Sequence, residues 1–348
     1  MNTPSFALVC RLQLCEVPFV NEFLAYYRTL GVDRFFLVNT EPENGDEIRR
    51  SVAGEFAAAV THLNNNGSTY SADECAQLAL SHITETYTLH LDLDEFLYLG
   101  GRTLHEFVAA HGQRPDVADA FLFRWVMAPC IRDLSRSSIR DIVSDGYLFP
   151  GSEEKTMAKT AQVERIGNHR FDLKMESDEV RMRVRNDHCF VLHVATRGLF
   201  DLLNKIATSR VTKSSKAADV ELSRLFHSDS MQGLPGRFYL HAFQSRFGQA
   251  VLKDLKVSLP ELSYATDTAR LEQLCAANLS NRLGYAPDNV DIEQLATRLD
   301  RVQVPSVMIE RYLRGRLSFN QVIEVLRMPP LPRLFRLLRM RREARSAD

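Results

Sequence analysis

The chain has 348 residues, 45% of them hydrophobic and 25% charged, with 43 Lys+Arg against 44 Asp+Glu and a net charge of −1. These proportions exclude a disordered, collagen-like or coiled-coil chain, and the missing basic excess argues against a general nucleic-acid binder. The length suits two domains, or one large domain with an appendage. Charge is uneven: residues 331–348 hold six Arg and two acids, a net +4, which leaves −5 for the body. No run approaches the roughly 20 apolar residues that cross a bilayer. Met1 to Phe6 shows no signal-peptide pattern, and the six scattered cysteines lack any CxxC pair, so reduced thiols in a cytoplasmic protein are expected.

In chain order, Phe6 to Cys10 is a short apolar run and predicts a buried strand. Pro18 opens a stretch with Phe19, Val20, Phe23, Leu24, Tyr27 and Leu30 at helical spacing, and Gly31 supplies its stop. Phe35 to Val38 predicts a second strand, Asn44-Gly45 a turn, and Ala57 to Thr61 a weaker third strand. A helix is expected over Ser71 to Glu85, then strands at Tyr87 to Leu91 and Ala120 to Trp125. Alternating strands and helices imply an α/β fold, a mostly parallel sheet with helices on both faces, whose ligands bind outside the carboxyl ends of the strands. From Asp133 to Phe190 the signals are mixed and predict irregular structure with short strands. From Leu199 onward the pattern is helical, with further helices expected over 267–280, 289–301 and 305–327, ended by Pro329-Pro330.

The end of the fourth strand reads Leu91-Asp92-Leu93-Asp94-Glu95-Phe96. Carboxylates crowded behind an apolar strand must meet a cation, donors or water. On a regular strand Asp92 and Asp94 point to one side and Glu95 to the other. Two hard oxygen ligands at the cleft suit Mg²⁺ or Mn²⁺. The bland alternative is a solvated acidic loop.

Residues 7–48 and 84–96 resemble the GT-A glycosyltransferases of family 2 and the related family 92 type. The match runs through Glu16, the unit Asn21-Glu22-Phe23-Leu24-Ala25-Tyr26-Tyr27-Arg28-Thr29-Leu30-Gly31-Val32-Asp33, and Asp92-Leu93-Asp94-Glu95-Phe96. It continues through Phe123-Arg124-Trp125, through Lys155, Lys159 and Gly167-Asn168-His169, and through His193 to Arg197 with Lys205, covering about residues 5–210 in order. The resemblance implies a GT-A-like, Rossmann-type fold and a transferase that moves a sugar from a nucleotide-diphosphate donor, a UDP-sugar by analogy, to a glycan hydroxyl with inversion. This chain departs from the family where Leu14-Cys15 replaces Lys-Asn, Val38-Asn39-Thr40 replaces Tyr-Asp-Asn, and Gly198 replaces Ser. A non-catalytic relative, acting as a binding or scaffold subunit in surface-glycan assembly, is therefore the alternative. A nucleotidyltransferase ranks last, because no Gly-rich loop follows the first strand.

The candidate site residues follow. Asp92, Asp94 and His193 are expected on the metal. Glu16 is read either as a nucleotide contact or as a carboxylate favoured by a helix dipole. Asn39 and Asp46 lie where nucleotide contacts are implied, although Asp46 also fits the Asn44-Gly45 turn. Lys159 and His169 follow from the family's Lys-rich strand and Gly-x-His. Arg197 and Lys205, eight apart, can share a helix face and hold a diphosphate, or form a solvated face. Trp125 can stack on a sugar or fill the core. An inverting transfer needs a base. Glu95 is the nearest candidate, unless it is a structural partner of a Lys or Arg, and Asp133, Asp141, Asp145 and Glu164 stay open. The organisation expected is a catalytic domain over 1–210, a helical region over 211–328 and a Pro-capped basic tail over 329–348. The tail alternates Arg with Leu, Phe and Met at near-helical spacing, which suits an anionic membrane surface beside a lipid-linked glycan acceptor, or else a helix docked on the body or a solvated end.

Overall fold

The computed structural model describes residues 3–65, 72–111, 119–128, 138–144, 149–174, 181–184, 188–208, 257–284 and 306–313, with a few further helical positions after 208. Nine strands form one sheet: β1 (Phe6–Leu12), β2 (Arg34–Asn39), β3 (Val60–Asn64), β4 (Tyr87–His90), β5 (Glu95–Tyr98), β6 (Ala120–Met127), β7 (Phe149–Lys159), β10 (Arg181–Arg183) and β11 (Phe190–His193). A separate pair is made by β8 (Val163–Arg165) and β9 (Asp172–Leu173). The main sheet is ordered β3-β2-β1-β4-β7-β6-β11-β5, with β10 also on β6. All its strands run parallel except β7 and β5. The expected α/β class, a mostly parallel Rossmann-type sheet flanked by helices, is what the chain forms.

The strand sequences explain the layers. Phe6, Leu8 and Cys10 face one core together with Phe35 and Leu37, while Ala7, Val9, Phe36 and Val38 face the other. This period of two, apolar on both sides, is what a sheet covered on both faces requires. Helices α1 (Val20–Leu30), α4 (Leu104–His111) and α6 (Leu199–Ala207) contribute to the first core, and α3 (Ala72–Leu80) to the second. Gly31 ends α1 at φ 94°, and a side chain there would also press on His105 at 2.9 Å. The stop read from the sequence therefore has both a conformational and a packing cause.

Three expectations are corrected. Asn44-Gly45 is not a plain turn: a 3-10 turn over Pro42–Asn44 leads into helix α2 (Gly45–Ser51). β5 follows β4 directly and pairs antiparallel with β11, because Tyr26 and Tyr27 of α1 hydrogen-bond the carbonyls of Leu97 and Glu95, each at 2.9 Å. The stretch read as irregular contains β7, eleven residues long and in the middle of the sheet. Its run Glu153-Glu154-Lys155 hid the strand, since charge is rare in a central strand unless paired.

Helix α7 (Thr268–Leu283) packs on α6 through the Asn278–Asn204 side-chain bond of 2.7 Å and donation from Arg282 to the Ala207 carbonyl at 2.8 Å. Leu271, Cys275 and Leu279 of α7 and Met308 of α8 (Ser306–Leu313) belong to the first core. The described part of the C-terminal region thus shares one core with the first 208 residues. Most of 211–256 and nearly all of the basic tail lie outside the described residues, as do Asp133 and Asp145. Of the tail, Met340 is buried in the first core and its carbonyl accepts from Arg311.

A wholly buried ion pair joins Arg197 to Glu22, with the Thr266 hydroxyl 2.9 Å from Arg197. The guanidinium also sits over the Phe19 and Phe96 rings, at 4.5 and 5.3 Å. Both charges are out of water, so removing one strands the other. Arg197→Ala is expected to lower unfolding free energy by about 3–5 kcal/mol in chemical denaturation. The double change Arg197→Met with Glu22→Leu should recover most of that loss. A single variant as stable as the parent would show that the pair is not buried.

Candidate functional site

The order β3-β2-β1-β4 reverses direction between β1 and β4, and a crevice at the carboxyl ends of such strands is where open α/β sheets bind ligands. Arg11 and Glu16 lie at that end of β1, Asp92 just beyond β4, and His193 at the end of β11.

Strand β4 stops at His90, so Asp92 and Asp94 sit in a turn before β5 rather than on a strand. The expectation that they share one side and that Glu95 opposes them therefore fails. Asp92 faces Lys155 at 3.3 Å and Arg11 at 3.6 Å. Asp94 faces Lys205 at 3.1 Å and His193 Nε2 at 3.6 Å. The Glu95 carboxylate folds back, accepting from the Asp92 amide at 2.8 Å and from Lys155 at 3.0 Å. One lysine on β7 bridges two of the acids, and the Asn168 amide oxygen lies 3.4 Å from its Nζ.

The charges follow from this geometry. Burial disfavours the Asp92 and Asp94 anions. Lys155 and Arg11 outweigh that for Asp92, and Lys205 and His193 for Asp94, so both carboxyls fall well below the usual range. Glu95 is fully buried, and desolvation pushes it up to about 7 despite Lys155. Burial also lowers Lys155, but Glu95 and Asp92 more than reverse this. His90 lies beneath, buried, with Nδ1 3.2 Å from the Gly167 carbonyl, and desolvation with Lys155 lowers it to about 4. A side chain at Gly167 would meet the Arg170 carbonyl at 2.2 Å, so the backbone that contacts His90 requires glycine. Burial opposes the charged form of His193, and Asp94 raises its pKa above the ordinary value.

The remaining candidates divide. Trp125 lies in the cleft, with its ring 4.2 Å from that of His193 and 5.3 Å from that of His169. Glu16 stands at the cleft edge, one oxygen accepting from the Gln13 amide in a capping box. Asn39 is buried and spends its amide on the Glu41 backbone and Asn64, holding the turn after β2. Asp46 is exposed in the first turn of α2. Lys159 pairs with Asp119 at 2.7 Å and lies in register with Tyr87 at the start of β4, which puts it at the end of the strands away from the cleft. Arg197 precedes α6 and points into the core, so it shares no helix face with Lys205. Glu95 is wholly buried, and its carboxylate is engaged by Lys155 and the Asp92 amide. Glu164 is exposed on β8, and Asp141 lies in the short helix α5 (Ile139–Ser144). Arg11 and His90 were not found from the sequence. Arg11 is one polar position in a buried strand, and only its distance to Asp92 distinguishes it. Lys155 stands in the Lys-rich strand of the resemblance, and its place between Asp92 and Glu95 is visible only in space.

Among the described residues no group of three or more His, Cys, Asp or Glu side chains is arranged to hold a metal ion, and no helix is long and apolar enough to cross a membrane. A separate cavity of about 280 Å³, lined in part by Tyr26, Tyr98, Arg102 and Leu259, contains none of the cleft residues.

No protein-family model and no curated protein matches the chain. Solved structures similar to it include S. aureus TarS 1-349 in complex with UDP, at 10% identity and TM-score 0.34, covering 90% of this chain and 93% of that one. HddC from Yersinia pseudotuberculosis is similar at 10% identity and TM-score 0.35, covering 54% and 92%. A putative glucose-1-phosphate thymidylyltransferase from Bacillus anthracis is similar at 6% identity and TM-score 0.28, covering 62% and 78%. These likenesses are too distant to transfer a site, and the functional reading rests on the cleft itself.

The raised Glu95 carboxyl has a measurable consequence. Between about 4.5 and 7 the folded state holds a proton on Glu95 that the unfolded chain has lost, so this group makes stability fall as pH rises through that window. His90, depressed to about 4, acts oppositely between 4 and 6.5. Glu95→Gln removes only the first contribution. Its stability relative to the parent should therefore climb from pH 4.5 to 7 in denaturant titrations, whereas a flat difference would mean that Glu95 titrates normally.

Proposed function

We propose that the chain is a GT-A-type glycosyltransferase that moves a sugar from a nucleotide-diphosphate donor, a UDP-sugar, to a glycan hydroxyl with inversion. The observation that carries this reading is the cleft at the β1–β4 reversal, where three carboxylates and three cations meet at the carboxyl ends of parallel strands. Lys205 and Arg11, the partly exposed cations, suit the oxygens of a diphosphate. Asp92, oriented by Lys155, suits hydroxyl donors of the nucleotide. Glu16 at the end of β1 suits the nucleotide by the same placement.

Mn²⁺ or Mg²⁺ fits a part of the expected ligand set. Asp94 and His193 approach within 3.6 Å, close enough to share one ion, whereas Asp92 is held by Lys155 and Arg11. Such ions are commonly bound by few protein groups and completed by water and substrate phosphate, so two ligands suffice. When bound, the ion would supply positive charge to the departing diphosphate. Lys205 holds Asp94 in place and adds a second positive charge on the same side. Lys155 keeps Asp92 and Glu95 together, so that the turn carrying Asp94 stays fixed. With Met340 and Leu337 packed on the body, the arginines of the tail would be what meets an anionic membrane surface near a lipid-linked acceptor.

A second reading is a non-catalytic relative that keeps the fold as a binding or scaffold subunit. It is favoured by the pairing of Arg11, Lys155 and Lys205 with the chain's own acids.

Thermal unfolding with UDP, GDP, CMP and dTDP, each with and without Mn²⁺, separates the two. A nucleotide at 100 times its Kd should add about 2.7 kcal/mol. The expected result is a UDP shift that needs Mn²⁺ and disappears in Asp94→Ala, with transfer of label from UDP-sugar to a glycan. A shift unchanged by Asp94→Ala would remove the metal assignment. No shift with any nucleotide would leave the scaffold reading.

A further inference from the structure

The cavity apart from the cleft has a charge of its own to satisfy. Its walls come from the end of α1 (Tyr26, Leu30), the end of β5 with the residue after it (Tyr98, Leu99), the turn into α4 (Arg102) and the segment before α7 (Leu259). Tyr26, Leu30, Leu99 and Leu259 are buried, so the lining is largely apolar. At Gly101, φ 83°, an added Cβ would meet nothing within 4 Å, which leaves that side open. The volume of about 280 Å³ lies just under the range of about 300–1,000 Å³ usual for ligand pockets, so it suits a small molecule and not a nucleotide-sugar.

Among the described residues that line the cavity, Arg102 alone is charged, and it is half-buried. Its Nε donates to the Leu99 carbonyl and its Nη2 to Cys189 Sγ, each at 3.1 Å. A thiol is a weak acceptor, and burial pushes the Cys189 thiol up, so it stays protonated and does not neutralise the guanidinium. Glu106 spends its carboxylate on the Thr103 amide and hydroxyl, at 2.7 and 2.9 Å, and forms no ion pair with Arg102. A cation partly out of water and without an anion is stabilised by one that arrives.

The ligand's chemistry follows from these walls. A guanidinium takes a planar carboxylate through two parallel hydrogen bonds, and the leucine and tyrosine side chains take hydrocarbon. An inorganic anion would leave the apolar walls uncovered, and an uncharged hydrocarbon would leave Arg102 without its anion. We infer that this cavity is an effector site for a small carboxylate with an apolar body, and that its occupancy acts on the cleft through β5. Tyr26 both lines the cavity and donates to the Leu97 carbonyl, and Tyr98 is the last residue of that strand. Strand β5 runs beside β11 from Tyr98, opposite Phe190, to Glu95, opposite His193, a distance of about 10 Å. There the Trp125 ring stands 4.2 Å from that of His193. The site holds whether or not the cleft binds a nucleotide.

Calorimetry on the full chain would use benzoate, phenylacetate, hexanoate and octanoate, with the matching primary amides as neutral controls. The chain's one tryptophan reports on the cleft, so its emission would be followed in the same titrations. The expected result is one bound acid per chain, with its amide about tenfold weaker or more and a change in Trp125 emission. Arg102→Gln should weaken the acid about tenfold or more, the loss of a charged hydrogen-bond pair. Arg102→Lys, which keeps the charge and loses the fork, should fall between and decides the matter if the Gln variant does not fold. Lys205→Gln, in the cleft, should leave acid affinity within about twofold. Affinity lost in Lys205→Gln and kept in the Arg102 variants would put the acid in the cleft and overturn the site. Equal affinity for acid and amide would overturn the role of Arg102, and no binding by any of the four acids would end the proposal. Binding without a change in emission would overturn the action on the cleft.

Discussion

Neutralising three carboxylates within four residues is the constraint on which the cleft depends. Asp92, Asp94 and Glu95 arrive together at the end of one strand, and each is wholly or largely out of water. Lys155 comes from β7, Lys205 from α6 and Arg11 from β1, so three separate elements must converge before the turn can hold its shape. Lys155 is the central member, because it alone contacts two of the acids and is itself buried. A buried ion pair gains little net stability over an apolar one, but it permits few arrangements of its neighbours. The triad thus fixes the path of the chain from β4 into β5 more than it stabilises the fold.

The sheet supplies the place for this cluster. The reversal between β1 and β4 opens a crevice, and the antiparallel β7 brings a lysine there from the opposite direction. Tyr26 and Tyr27 fasten β5 from α1, which places Glu95 under the lysine and leaves Asp94 near Lys205 and His193. Around the charged centre lies an aromatic rim with unpaired nitrogens. Charged groups and aromatic rings thus adjoin each other at the carboxyl ends of the strands.

The second buried pair, Arg197 with Glu22, serves the scaffold. It ties α1 to the chain before α6 and, through Thr266, to the C-terminal segment. Its distance from solvent explains why an arginine that seemed suited to a diphosphate is unavailable to one.

Strand and helix alternation, the Gly31 stop and the acid cluster after β4 were legible in the sequence, because local periodicity, backbone conformation and the cost of burying charge act over a few residues. β7 was hidden by its own charges: Lys155 is tolerated because Asp92 and Glu95, 60 or more positions away in the chain, lie across from it, and Glu154 pairs with Arg170. The same reason separates Lys155 from Lys159 and Arg197 from Lys205. Residue type and spacing were alike in each pair, but the antiparallel register and the start of α6 send one member to the cleft and the other elsewhere. Sequence alone therefore determined the fold class and the strand end where the acids lie. Tertiary structure decided which cations meet those acids, because electrostatic partners are chosen by distance in space, which local sequence does not encode.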